Sequence, residues 1–148
     1  MNNKVNFSKE APVSFALCFR TDCVSADHCL RSLAARDLGK ERTTLYIINP
    51  NLVNPKGGNT CRFFQSSEKV KIAYGFKWMM DHVPSGRIRH IRDAVCSMVS
   101  QRTYYYLMDG TKPILPDMQR KIGAILRANG LSVPILFDRY EQEYVWRT

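Results

Sequence analysis

The spacing of apolar residues along the chain changes near residue 66. Before this point they occur in short runs: residues 13–17, 43–48 and 61–64 are rich in β-branched and aromatic side chains, which predicts three strands. Between the first two runs, Ser25 precedes apolar residues at helical spacing and predicts a capped helix. The polar residues ahead of the first strand, 1–13, are predicted to form a loosely held arm.

Beyond residue 66 the apolar residues recur every three or four positions, which is the period of an amphipathic helix. Ile72, Phe76, Met79 and Val83 would share one face of a first helix that Pro84 ends. Apolar stripes and stop signals predict three more helices over residues 88–99, 101–108 and 117–129, followed by strand-like segments at 133–137 and 143–146.

These patterns predict an α+β fold in two domains. Residues 1–65 would form a small cysteine-rich module of zinc type, packed on a helical block over residues 66–148 that ends in a short β segment. The 148 residues are 45% hydrophobic and 24% charged, close to globular averages. No apolar run approaches the roughly 18 residues of a membrane span, and no targeting segment is recognisable. We therefore expect a cytoplasmic protein without a membrane partner.

Four of the five cysteines lie in the N-terminal half of the chain, at Cys18, Cys23, Cys29 and Cys61. Disulfides are rare in a reducing cytosol, and four thiolates complete the tetrahedral shell of a zinc ion. The predicted helix places Cys29 in its opening turns, where the helix dipole favours the thiolate. We predict that these four residues are the ligands of a structural zinc, whereas Cys96 is a core thiol.

Two other interpretations of these cysteines stay open. Free cysteine is often buried as a small hydrophobic residue, and sets of four cysteines also bind iron–sulfur clusters. Zinc is favoured over a cluster because the chain lacks the short CxxCxxC run of ferredoxin-like sites. The chain also has no CxxC pair of redox type.

The chain is basic, with 22 Lys and Arg against 13 Asp and Glu and a formal net charge of +9. Such an excess suits a polyanionic partner, because Lys and Arg that neutralise phosphates release counterions. The excess is spread over both halves of the sequence, so charge alone also fits a soluble protein without such a partner.

Residues 88–126 resemble the helix-turn-helix of phage-repressor-type DNA-binding domains. Ala94 stands where that family keeps a small residue, Val99 at the apolar turn position and Ser100 at the cap of the recognition helix. Tyr104 and Leu107 occupy its inward positions. The resemblance implies that Gln101, Arg102, Tyr105 and Tyr106 face the major groove of double-stranded DNA.

The chemistry of these side chains suits that role. Gln can pair with adenine and Arg with guanine through two hydrogen bonds, while Tyr can reach a phosphate or a thymine methyl group. Spacing and charge further predict that Arg87, Arg89, Arg92 and Lys112 contact the DNA backbone. The resemblance leaves a homodimer open, since such proteins often read two half-sites. The other interpretation is an ordinary helical bundle whose tyrosines are core and interface residues.

The whole chain also resembles a family of small uncharacterised proteins of gut bacteria. The residues that carry this resemblance are Cys18, Cys23, the run His28-Cys29-Leu30-Arg31, the segment 137–140 and the closing Trp146. The resemblance implies no activity.

A catalytic function finds little support in the sequence. A cysteine nucleophile would need a histidine beside it, and nothing in the pattern selects His82 or His90 for that task. We therefore predict a non-catalytic protein that binds nucleic acid, most simply DNA, and contains a structural zinc. The competing class is a protein-interaction or scaffold module with the same zinc fold and an exposed tyrosine-rich face.

Overall fold

The computed structural model describes residues 4–147 and has mixed α+β architecture, as the sequence predicts. Within this range the regular elements are α1 (Phe7–Glu10), α2 (Leu30–Arg36), β1 (Val70–Tyr74), α3 (Lys77–Met80), α4 (Ile88–Cys96), α5 (Gln101–Asp109), α6 (Pro116–Ala128) and β2 (Arg139–Glu143). Four short 3-10 turns lie at Ala26–His28, Pro50–Leu52, Gly58–Thr60 and Ser85–Arg87. None of the helices in residues 4–147 is long and apolar enough to cross a membrane.

The chain divides into two compact units. Unit 1 comprises the residues up to Lys69 together with those from Tyr144 onward, and unit 2 comprises Val70–Glu143. The sequence places the boundary after residue 65 and assigns the last residues to the second domain. In the structure these last residues belong to unit 1, because Tyr144 and Trp146 pack against its small core.

Unit 1 begins with a short helix where the sequence predicts a loose arm. The Asn6 side chain accepts a hydrogen bond from the Lys9 N–H and caps α1, and the Phe7 N–H donates to the Asp37 carboxylate at 3.0 Å. Ser8 and Ala11 are buried. The arm prediction is thus wrong from residue 7 onward, whereas its first three residues lie outside the part of the chain that the structure describes.

The three strands predicted ahead of residue 66 do not form. Leu17 and Ile47 make a single parallel bridge, and the Phe64 N–H donates to the Cys61 carbonyl in a turn. The helix prediction at Ser25 is also wrong, since Ser25 makes no side-chain cap and α2 begins at Leu30. A β-branched run becomes a strand only when a partner pairs along it, and here pairing stops after one bridge.

Unit 2 opens with a strand where the sequence predicts a helix from residue 66. β1 pairs antiparallel with β2, with Val70 opposite Glu143, and the backbone groups of Ala73 and Ile114 exchange hydrogen bonds of 3.1 and 2.8 Å. Gly75 ends the strand with a φ of +76°, a conformation that favours glycine. The strand-like segments predicted at 133–137 and 143–146 do not form as predicted. The strand in this part of the chain is β2, which lies between them.

The later helices of unit 2 follow the sequence closely. The Ser100 hydroxyl accepts a hydrogen bond from the Thr103 N–H at 3.1 Å and caps α5, and Gly110 ends that helix with a φ of +85°. Pro116 occupies the first turn of α6. The unit's core comprises Ala73, Phe76, Met79, Met80, Val83, Ile91, Val95, Tyr104, Leu107, Ile114, Ile122, Leu126, Leu131 and Phe137.

Candidate functional site

The four predicted zinc ligands come together in unit 1. Cys18, Cys23, Cys29 and Cys61 all line one cavity of about 20 Å³, and all four are free thiols. They arrive from three separate stretches of chain, so the fold and not the sequence spacing assembles them. We call this set of four side chains the thiol cluster. Cys96 belongs to unit 2 and lies outside it.

Backbone hydrogen bonds position each stretch. The Cys18 N–H donates to the Arg31 carbonyl at 3.1 Å, which ties Cys18 to α2. Cys29 forms an antiparallel bridge with Ser66, and this bridge brings the start of α2 to the chain that follows Cys61. The Val24 N–H donates to the Pro55 carbonyl at 3.0 Å and brings the Cys23 stretch to the loop before Cys61.

Gly57 closes the wall of the cavity beside the 3-10 turn that leads to Cys61. Its φ is +63°, and a Cβ at this position would lie 2.3 Å from the Ser25 hydroxyl oxygen. Both observations require glycine here. Phe63 and Phe64 add an apolar lining to the same cavity.

The thiols are close neighbours, but they do not form a coordination shell as they stand. Within residues 4–147, no group of three or more His, Cys, Asp or Glu side chains is arranged to hold a metal ion. Tetrahedral zinc bound by four sulfurs at about 2.3 Å requires sulfur–sulfur distances of about 3.8 Å. Zinc binding would therefore require the four side chains to rearrange into that shell.

The surroundings of Cys18 disfavour the ionised form of its thiol, which shows as a raised pKa. Burial is the main cause of the raised pKa, a backbone hydrogen bond at Arg20 opposes it, and the neighbouring Cys29, Cys23 and Cys61 each add a smaller increase. Several thiolates in one small space repel one another. A divalent cation removes that repulsion and favours deprotonation of all the thiols that it binds.

Arg31 is a member of this site that the zinc prediction did not include. Arg31 is only 9% exposed, and it lines the cavity of the thiol cluster. Burial lowers the pKa of its guanidinium, and the closeness of Cys29, Cys18 and Cys61 opposes that shift. The only sequence signal for Arg31 is its place in the His28-Cys29-Leu30-Arg31 run, which does not reveal that the side chain points inward.

The predicted nucleic-acid residues lie on and around α5 in unit 2. Gln101 and Arg102 are exposed in the first turn, Tyr105 is 41% exposed, and Tyr106 is half-buried with Lys112 stacked over its ring at 5.5 Å. Tyr104 and Leu107, the inward positions, are buried. The two predicted inward positions of α5 are thus buried, and three of the four residues predicted to face DNA are exposed.

The basic residues predicted to contact a DNA backbone lie on and before α4. Arg87 and Arg89 are exposed and Arg92 is half-buried. Asp93 lies 4.0 Å from Arg89 and 3.8 Å from Arg92, which are long and exposed ion pairs of little energetic weight. α4 contacts both α5 and α6, so the three helices form one packed group.

Comparison with known protein families gives a match over almost the whole chain. The model of DUF6078, a family of unknown function, matches residues 1–146. No curated protein and no solved structure matches the chain significantly. The expectation of an uncharacterised family is thereby confirmed over almost the whole sequence.

Proposed function

This chain belongs to DUF6078, a family of unknown function, and from that premise we propose that it is a non-catalytic nucleic-acid-binding protein whose unit 1 is stabilised by a structural zinc ion. The observation that carries the zinc part is the convergence of Cys18, Cys23, Cys29 and Cys61 on one small cavity. Four thiolates fill a tetrahedral shell and leave no position for a substrate or a catalytic water.

The composition of unit 1 gives a physical reason for such an ion. Among the described residues its core cluster contains only five that are buried, Ala11, Phe15, Leu17, Leu30 and Ala34. Small domains with little apolar core depend on disulfides or metals for stability. Zinc would join three stretches of chain that otherwise meet through a few backbone hydrogen bonds.

The nucleic-acid part rests on the exposed start of α5. Gln101 and Arg102 project from a capped helix whose inward face is buried, and the basic residues of α4 lie on an adjoining helix. An Arg and a Gln at the beginning of an exposed helix suit base edges in a major groove. We propose double-stranded DNA as the partner and the cytoplasm as the location.

The zinc part is tested by metal analysis of the purified protein with its visible absorption spectrum. We expect one zinc per chain without colour, and loss of the zinc in Cys23→Ser. Cys96→Ser is the matched control, because Cys96 is a half-buried thiol of unit 2 outside the thiol cluster. A brown protein that contains iron would indicate an iron–sulfur cluster in place of zinc. A wild-type protein without any metal would refute the metal site.

The nucleic-acid part is tested by selecting duplexes from a random-sequence DNA pool and measuring binding of the selected duplex against salt. Arg102→Ala should weaken binding by about 1–3 kcal/mol and relax base preference at one position. Lys121→Ala, which removes an equally exposed charge from α6, should leave base preference unchanged.

The competing function, a protein-interaction module, predicts a different outcome of the same experiment. Exposed tyrosine and arginine are enriched at protein interfaces, and Tyr105 belongs to this exposed surface. DNA binding should weaken steeply as salt rises, because phosphate contacts release counterions. Failure to select any duplex, with salt-insensitive self-association or association with protein, would favour the interaction module.

A further inference from the structure

Arg31 is a buried cation whose hydrogen-bond partners carry no charge. Its guanidinium donates to three backbone carbonyls, those of Phe63 at 2.9 Å, Ala16 at 2.8 Å and Arg147 at 3.1 Å. Its carbon atom also lies 4.5 Å from the centre of the Phe15 ring. Among residues 4–147 no ion pair involves Arg31.

A buried guanidinium in such surroundings calls for an anion. Arginine keeps its proton under all physiological conditions, so it cannot avoid the cost of burial by becoming neutral. Hydrogen bonds to carbonyls satisfy its donors but leave its charge uncompensated. The arginines of unit 1 that pair with carboxylates, Arg20 and Arg36, do so near the protein surface.

The groups that can supply negative charge next to Arg31 are the thiols of the cluster. Arg31 lines the same cavity as Cys18, Cys23, Cys29 and Cys61. Its backbone carbonyl also accepts the Cys18 N–H, and its side chain reaches the carbonyl two residues beyond Cys61. The cation is thus fixed in place by the same chain segments that carry the thiols.

We propose that Arg31 is the built-in counter-charge of a tetrathiolate metal site and sets the affinity of unit 1 for the ion. When Zn²⁺ binds four thiols, four protons leave, and the product carries a net charge of −2. The Arg31 guanidinium halves that charge inside the protein. Arg31 is a positioning and charge-balancing residue and not a ligand, and this inference rests on the proposed zinc site.

The test is a titration of metal-depleted protein with Co²⁺, followed by competition of Zn²⁺ against a chelator. Arg31→Gln keeps hydrogen-bond donors but removes the charge, and we expect zinc affinity to fall about 10–100-fold, as for other outer-shell partners. Arg31→Lys restores the charge and should regain most of that affinity. The thiolate-to-cobalt absorption should show a tetrahedral four-sulfur site in wild type and in Arg31→Lys.

Arg42→Met is the matched control for a merely structural role. The Arg42 guanidinium also donates to backbone carbonyls of unit 1, those of Ser8 at 2.7 Å and Ala11 at 2.6 Å, but it does not line the thiol cavity. Because zinc binding is coupled to the folding of unit 1, its removal should lower zinc affinity only by the stability that it costs unit 1, and by less than Arg31→Gln does. Equal affinity loss in Arg42→Met and Arg31→Gln would overturn the proposal.

Other outcomes separate this inference from the zinc proposal. Wild-type protein that takes up no metal refutes both, whereas wild type and Arg31→Gln with equal zinc affinity refute only the role of Arg31. A loss in Arg31→Lys as large as in Arg31→Gln would also refute it, because the charge would not be the cause. If Arg31→Gln does not fold, Arg31→Lys decides: a zinc affinity close to that of wild type supports the role of the charge, and a loss of tenfold or more overturns it.

Discussion

Units 1 and 2 are equal in length, yet they are stabilised differently. Within residues 4–147, fourteen buried residues of unit 2 form one core cluster, against five in the cluster of unit 1. The buried polar and charged side chains of the described residues, Ser8, Arg31, Ser32 and Gln65, all lie in unit 1. Unit 2 can therefore rely on hydrophobic burial, whereas unit 1 must rely on polar contacts and on its thiol cluster.

The helices of unit 2 differ from unit 1 in the range of the contacts that fix them. The ends of these helices are set by residues a few positions apart, as at Ser100 and Thr103, although the sheet of unit 2 joins residues as distant as Val70 and Glu143. In unit 1 the decisive contacts join distant residues, such as Arg31 with Phe63 and Arg147. Unit 1 should for this reason respond as a whole when one of these contacts or the proposed zinc ion is removed.

The largest expected effect is the loss of unit 1 on chelation of the proposed zinc. Apparent binding energies of structural zinc in small domains reach about 10–16 kcal/mol, which exceeds the stability of most domains. Hydrogen exchange should lose protection across residues 4–69 while α4, α5 and α6 keep theirs. Equal loss of protection in both units, or no loss in either, would contradict the expectation that only unit 1 depends on the ion.

Next in size is truncation in the core of unit 2. Ile91→Ala removes a fully buried side chain from α4 and should lower the free energy of unfolding by about 2–5 kcal/mol. Ile88→Ala is the control, because Ile88 lies one turn earlier in the same helix and is 42% exposed. Chemical denaturation measures both changes, and zinc content should be unaffected. Comparable losses in the two variants would show that burial does not dominate unit 2.

A smaller effect is expected from the cap of α5. Ser100→Ala removes the hydrogen bond from the Thr103 N–H and should cost about 1 kcal/mol in unfolding free energy. Ser97→Ala is a suitable comparison, since Ser97 lies at the C-terminal end of α4 and its hydroxyl donates to the Ala94 carbonyl instead of capping the start of a helix. Thermal unfolding measures the difference. If Ser97→Ala costs as much as Ser100→Ala, local capping does not set the start of α5.

The smallest effect concerns alkaline pH and Tyr74 in the sheet of unit 2. Burial, together with the hydrogen bond that its hydroxyl donates to Glu143 at 2.6 Å, raises the Tyr74 pKa from 10.0 to about 12. The fold favours the protonated tyrosine, so this contribution to stability is complete below pH 10 and is lost as pH rises from 10 through 12.

Ultraviolet absorbance of tyrosinate measures this titration directly. Burial also raises the pKa of Tyr104, so the late phase of wild type should contain both tyrosines and should lose the contribution of one of them in Tyr74→Phe. The stability difference between wild type and Tyr74→Phe should also shrink across the same pH range. An unchanged amplitude of the late phase in Tyr74→Phe would assign the raised pKa to another residue.

The helices of unit 2 were predictable because their signals are local. Ser100 and Gly110 mark the ends of α5 in the sequence and in the structure alike, and α6 begins at Pro116, one residue before the predicted start. The helix predicted from residue 66 failed because the same apolar positions fit a strand, a glycine turn and a short helix. Pairing with β2, which lies at the opposite end of unit 2 in the sequence, selected the strand.

The sequence by itself determined the α+β class, the helical group of unit 2, and which four cysteines could act together. Cysteine count and helix signals are properties of single residues and near neighbours, so they can be read without a fold. Only the tertiary structure decided that the four thiols share one cavity and that Arg31 is buried beside them. The burial of Arg31 and its hydrogen bonds depend on residues as distant in sequence as Ala16, Phe63 and Arg147. No local sequence pattern predicts that these residues come together.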